Sequence, residues 1–217
     1  MHTTPASESV EIPDFFALIG ERASSSRVKE HIARLAVAAS VSSPVPEVKS
    51  YRDCVYFNYF DFGISIQFLP VDDYALSQGL QMESLDLGKL AVETIDIYNV
   101  PVAAADNERA KSKTSHYKPY PFPTIALVLA NSGEETSVSI SPETTGKDIV
   151  GTLGEPDRKG GGTGPSSGSI GIWCEWSKLG VMIEFGGDEA RGPQAWEKGK
   201  DAVWSSLTLF AAKTEQA

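Results

Sequence analysis

Val55-Tyr-Phe-Asn-Tyr-Phe-Asp-Phe-Gly63-Ile-Ser-Ile-Gln-Phe68 aligns without a gap on Ile172-Trp-Cys-Glu-Trp-Ser-Lys-Leu-Gly180-Val-Met-Ile-Glu-Phe185. Aromatic falls on aromatic and β-branched on β-branched, with Gly63 on Gly180 and Phe68 on Phe185. Each stretch alternates about a central glycine, the pattern of two short strands joined by a tight connection. Side chains alternate across a strand, so each predicted hairpin has two faces. One pairs Val55 with Phe68, Phe57 with Ile66 and Tyr59 with Ile64; its counterpart pairs Ile172 with Phe185, Cys174 with Ile183 and Trp176 with Val181. These apolar faces are expected under helices. Recurrence of one supersecondary unit predicts a tandem architecture.

The flanking sequence extends the correspondence. Val28, Ile32, Leu35 and Ala36 lie at helical spacing behind the cap candidates Ser24, Ser25 and Ser26, and Pro44 and Pro46 end that helix. In the second half, 147–153 reads as a short helix capped by Thr144 or Thr145 and stopped by Gly154, with Pro156 after it. His31 is expected on the surface of the first helix. Leu80, Leu85, Leu87 and Leu90 suggest that part of 72–91 packs down. Extended pieces are expected near 94–98, 124–130, 138–140 and 202–210, with Ile95 and Ile97 matching Leu207 and Leu209. The prediction is an α+β chain, a tandem repeat of a short helix on an antiparallel hairpin or sheet. Residues 1–10 are a disordered tail, 11–100 the first unit, 101–123 the connection and 124–213 the second unit.

The chain has 217 residues, 41% hydrophobic and 22% charged, with a formal net charge of −10. That length and composition suit a large core or two small lobes. The acidic balance disfavours nucleic-acid binding, which draws its affinity from Lys and Arg on phosphates, and recruitment to anionic membranes. No apolar run approaches the roughly 20 residues of a membrane helix, and no signal peptide is read at the start. Cys54 and Cys174 make no disulfide framework and are read as buried reduced thiols. The compartment inferred is the cytoplasm.

The face opposite the apolar one carries Tyr56, Asn58, Ser65 and Gln67 in the first hairpin and Trp173, Glu175, Met182 and Glu184 in the second. Asp96 and Tyr98, or Ser206 and Thr208, extend the rows. Two readings stand: a solvated sheet surface with cross-strand aromatic packing, or a recognition surface, since aromatics and Met are enriched where proteins meet. The partner-contact candidates are Tyr56, Asn58, Gln67, Trp173, Glu175, Met182 and Glu184. Arg158, Lys159, Gly160, Gly161 and Gly162 open a glycine-rich loop running to 171, which reads as a flexible connection or a partner- or anion-contacting loop.

The run 144–156, Thr-Thr-Gly-Lys-Asp-Ile-Val-Gly-Thr-Leu-Gly-Glu-Pro, followed by a glycine loop and an aromatic hairpin, resembles the helix–LGxP–hairpin unit of the BamE/SmpA and β-lactamase-inhibitor-protein group. That resemblance implies two tandem units whose helices cover one sheet face while the concave face grips a partner protein. Residues 56–68 are also similar to a run of the phagophore assembly factor family, and Ile97-Tyr-Asn99 echoes a later motif of it. That second resemblance implies an autophagy adaptor for lipid or protein partners. Neither carries a catalytic residue onto this chain.

Other constellations are weaker. The glycine loop lacks the G-x-x-x-x-G-K-[ST] spacing and precedes a strand rather than a helix, which argues against a nucleotide-binding P-loop. His2, His31 and His116 have no metal-ligand spacing, and neither a metal nor a cofactor is expected. Glu175 and Glu184 are the one carboxylate pair that falls on a single sheet face, and acid–base work would need such a pair. Arg191 is expected to tie its loop to a carboxylate, and Trp196 to cap the core. The function read is non-enzymatic protein binding, inhibitor-like, through the outer sheet face and the glycine loop. The alternatives are a small-molecule binder or hydrolase using Glu175 and Glu184, and a lipid or protein adaptor of autophagy.

Overall fold

A computed structural model describes residues 14–100, 116–131, 134–162 and 171–213. The expected tail at 1–10, residues 101–115 of the connection and 163–170 of the glycine loop lie outside them. The first half comprises helix α1 (Ser26–Ala38) and strands β1 (Glu47–Ser50), β2 (Val55–Tyr59), β3 (Ile64–Pro70) and β4 (Leu90–Tyr98). Then come β5 (Ile125–Asn131), β6 (Glu134–Ile140), α2 (Gly146–Leu153), β7 (Arg158–Gly160), β8 (Trp173–Trp176), β9 (Val181–Phe185), α3 (Ala195–Lys198) and β10 (Trp204–Phe210). Eight strands form one sheet in the order β1-β2-β3-β4-β10-β9-β8-β7, and β5 pairs with β6 apart from it. The strand pairings are antiparallel.

The hairpin registers follow from the alternation. Val55 faces Phe68, Phe57 faces Ile66 and Tyr59 faces Ile64; Cys174 faces Ile183 and Trp176 faces Val181. These side chains are buried, because a one-residue slip would turn the whole apolar set outward. Each hairpin closes through a single 3-10 turn, Phe60–Phe62 or Ser177–Leu179, ending on a left-handed glycine, Gly63 at φ 65° and Gly180 at φ 68°. A Cβ on Gly63 would lie 2.6 Å from the Lys118 carbonyl oxygen, and one on Gly180 would overlap the Phe210 carbonyl. Glycine is therefore required at both turns by conformation and by space.

At the centre of the sheet β4 runs against β10. Leu207 faces Ile97, Leu209 faces Ile95, and Asp96 faces Thr208 between them. The inward strand residues form one continuous apolar core with Val28, Ile32, Leu35 and Ala36 of α1, Ile149 of α2 and Ile125, Leu127 and Ile140 of the β5–β6 ribbon. Ser25 caps α1 by accepting from the Val28 N–H. Thr145 and Asp148 make a reciprocal capping box on α2, which Gly154 ends at φ 78°. Leu85 and Leu90 are buried and Leu80 and Leu87 pack on the core, as the leucine spacing predicted; Leu76 is buried as well.

Several expectations need correction. His31 is buried, at 5% exposure, with its ring 4.7 Å from that of Phe15. It sits one residue before Ile32 and three after Val28, inside the apolar stripe, and the segment before α1 covers it. Trp196 does not cap the core: it is 45% exposed. Arg191 makes no ion pair among the described residues. Arg158, Lys159 and Gly160 are not loop residues but the edge strand β7, paired with Glu175, Cys174 and Trp173. Strand β1, paired with β2, was not expected either.

Among the described residues, no helix is long and apolar enough to cross a membrane.

Candidate functional site

The outer sheet face is built by the alternate residues of each strand. One row crosses all eight strands: Glu47, Asn58, Ser65, Asp96, Thr208, Met182, Glu175 and Arg158. Two shorter rows flank it on either side of the centre. Tyr56, Gln67 and Thr94 lie on the first-half side, and Ser206, Glu184 and Trp173 on the second-half side. Tyr56, Gln67, Trp173, Met182 and Glu184 are half-buried, as are Asp96 and Thr208.

The polar groups of this face are hydrogen-bonded to one another. The Thr208 hydroxyl donates to Asp96 Oδ1 at 2.6 Å, linking the two central strands. The Gln67 amide donates to the Tyr56 hydroxyl at 2.8 Å and accepts from Thr94 at 3.2 Å. Burial pushes the Asp96 carboxyl above the usual carboxylate range, against the opposing bond from Thr208. Burial also raises the Tyr56 phenol, helped by nearby Cys54 and Asp96. The Trp173 ring lies over Gly160 on the neighbouring strand, where a Cβ would come within 2.7 Å of it. The Arg158 guanidinium stands 5.9 Å from the centre of that ring.

Two of the candidates are turned to the protein's own use. Asn58 is 7% exposed and its Oδ1 accepts from Ser65 at 2.8 Å and from the Tyr117 hydroxyl at 3.0 Å. Tyr117 reaches it because the chain after β4 returns over the hairpin turn, with the Lys118 N–H donating to the Phe60 carbonyl. Glu175 is 6% exposed and accepts from Ser177 at 2.6 Å, from Lys213 at 3.0 Å and from Arg158 at 3.1 Å. Lys213 arrives in the same way after β10, its N–H donating to the Ser177 carbonyl. Burial alone would raise the Glu175 carboxyl, but the Ser177 hydroxyl and the Lys213 and Arg158 cations outweigh it and hold it below its ordinary value.

That environment keeps Glu175 ionised and its oxygens occupied, which suits a structural anion rather than a proton donor. Glu184 faces Trp173 and Glu175 faces Met182, so the two carboxylates are diagonal neighbours on adjacent strands. Among the described residues no group of three His, Cys, Asp or Glu could hold a metal ion. Cys54 and Cys174 are free and buried.

Two cavities lie beside these rows, the first sharing Tyr98 with the outer face. One, of about 480 Å³, is bounded by Tyr98, Asn99, Tyr120, Phe122, Ile140 and Trp204. The other, of about 470 Å³, lies between α2, α3 and the inward side of the second hairpin. Neither is lined by Glu175 or Glu184. Sequence reading identified the outer rows but missed Tyr117 and Lys213, whose positions depend on long-range chain reversals. It also missed the lysines of the second cavity, for which the helical spacing of Lys147 with Val150 is the one local sign.

No family model matches the chain, and neither curated proteins nor solved structures yield a match.

Proposed function

We propose that the chain is a tandem pair of helix-on-sheet units that recognises a protein partner through the outer face of the shared sheet. Support for the repeat comes from paired details. The Tyr98 N–H donates to the Gly63 carbonyl and the Phe210 N–H to the Gly180 carbonyl. The Ala23 N–H donates to the Leu90 carbonyl and the Gly146 N–H to the Ala202 carbonyl. Asn58 and Glu175, matched in the alignment, are each buried beneath the segment following a central strand. The Asp96–Thr208 pair is the midpoint of this correspondence.

One observation carries the binding reading. The helices and the β5–β6 ribbon give their buried residues to the core on the inner side of the sheet. On the outer side, among the described residues, the covering groups are loop and tail residues such as Tyr51, Tyr117 and Lys213. Between them lies a band holding Tyr56, Gln67, Asp96, Thr208, Met182, Glu184 and Trp173, aromatic near its ends and polar at its centre. Aromatic anchors beside satisfied polar groups suit a protein interface. A hydrolytic use of Glu175 and Glu184 has less support, because three donors already engage Glu175.

The test is affinity capture with immobilised protein from its native cell, compared with Trp173→Ala and Met182→Arg. Loss of an anchoring Trp costs about 2 kcal/mol of binding, or roughly 30-fold in affinity. A partner retained by the wild type should be depleted by both variants while their thermal unfolding stays cooperative. Undiminished recovery with folded Trp173→Ala would refute the assignment.

A further inference from the structure

The cavity beneath α2 has a divided chemistry. Its floor is Val150, Ile172, Cys174 and Phe185, with Trp196 at its edge and the open Cα of Gly151 on the helix side. Its charged rim is Lys147, Lys159 and Lys200, opposed among the described residues by Glu155 alone. In a chain of net charge −10, cations dominate this one opening. The three lysines are exposed and make no ion pair among the described residues. The Lys159 ammonium stands 5.7 Å from the ring centre of Trp196, which is a large aromatic held at the surface beside the opening.

Three sequence choices keep the space open. In the first hairpin Phe57 packs against Phe68, the rings tilted by 53° with centres 4.7 Å apart. At the position aligned with Phe57 the second hairpin has Cys174, so a small thiol and Phe185 line the cavity where the first hairpin has two rings. Gly151 lies within α2, and a Cβ there would meet nothing within 4 Å. Glycine inside a helix costs about 1 kcal/mol relative to alanine, and no local crowding demands it here. At α3, a Cβ on Gly199 would overlap Ile172, so the close docking of α3 also relies on a missing side chain. A volume of this size is within the range of small-molecule sites, which pair apolar walls with few polar groups.

We propose that this cavity binds a small amphiphilic carboxylate, its acyl chain on the Ile172–Cys174–Phe185 floor and its carboxylate at Lys147, Lys159 and Lys200. Charge complementarity sets the sign of the head group, and the apolar floor sets the nature of the tail. This site is independent of the outer sheet face.

The probe is decanoate below its micelle concentration, followed by tryptophan fluorescence. Trp196 is the most exposed tryptophan, and Trp196→Phe identifies its share of the signal. Decanoate should give a saturable change that Trp196→Phe largely removes. The triple variant Lys147→Gln, Lys159→Gln, Lys200→Gln should bind at least tenfold more weakly, and Gly151→Phe, which fills the space without adding an indole, should abolish binding. Decyltrimethylammonium, with the same tail and the opposite charge, should give no saturable change. The proposal is overturned if decanoate shows no saturable effect, if the triple lysine variant binds as the wild type does, or if the cationic amphiphile binds equally well. The glutamine changes are at exposed side chains, so they keep the test valid even if Gly151→Phe fails to fold. Partner capture that depends on Trp173 should survive the lysine changes, which separates failure of this proposal from failure of the interface.

Discussion

Replacing Glu175 by glutamine tests how the outer face is held together. The side chain keeps its shape but loses its charge. Lys213 and Arg158 are themselves more than half exposed, with side-chain exposures of 59% and 60%. Each returns to water on losing its partner, so each ion pair is worth under about 1 kcal/mol. The bond from Ser177 is different, being buried on both sides and short at 2.6 Å. Converting it from charge-assisted to neutral costs about 1 kcal/mol. The total is about 2 kcal/mol at neutral pH, which for a domain of this size lowers Tm by roughly 4–8 °C. The folded carboxyl titrates below its ordinary value. Its stabilisation is therefore complete above the unfolded carboxylate pKa and is lost as pH falls through the folded one. Urea unfolding of both proteins from pH 7 to pH 3 reads this directly. The gap between wild type and Glu175→Gln should be constant above about pH 6 and shrink below about pH 4.5. A gap that does not change with pH, or a glutamine variant more stable at neutral pH, would refute the reasoning.

Further outcomes follow from the core and the turns. Burial, with a smaller push from Arg34, lowers the His31 pKa to about 4. The unfolded chain takes up this proton near pH 6.5, so acidification from there to about 4 should cost about 3 kcal/mol. His31→Leu should remove that slope from the urea-unfolding profile, and an unchanged slope would contradict the burial. Leu207→Ala, at the fully buried seam between β4 and β10, should cost about 3 kcal/mol. Its urea transition should shift as one step seen by fluorescence and circular dichroism, whereas two separated steps would argue against a shared core. Gly63→Ala and Gly180→Ala should each lose about 2 kcal/mol, from left-handed strain and backbone overlap. Thermal melts indistinguishable from wild type would disprove the fit at those turns.

The two hairpins were legible because alternation and a turn glycine are local signals. Their registers, and the pairing partners of Val55, Phe57 and Tyr59, could be read residue by residue. The caps of α1 and α2 were legible for the same reason. Strands β1 and β7 were not, because Glu-Val-Lys-Ser and Arg-Lys-Gly are short and polar, as edge strands tend to be, and are ordered by the neighbour they pair with. The outer rows were read correctly as a face, but the burial of Asn58 and Glu175 was hidden. It arises from Tyr117 and Lys213, which lie 59 and 38 residues away in sequence. His31 carried a usable sign in its place within the helical stripe. Trp196 carried none.

The proposed partner contact lies on the outer sheet face. Photo-crosslinking in the native cell tests it most directly, with a benzophenone amino acid placed at position 173 or 56, and at Val128 as a control. Val128 is 52% exposed on the separate β5–β6 ribbon. One discrete adduct shared by positions 173 and 56 and missing at 128 is expected. No adduct at 173 and 56, or the same adduct at 128, would contradict it.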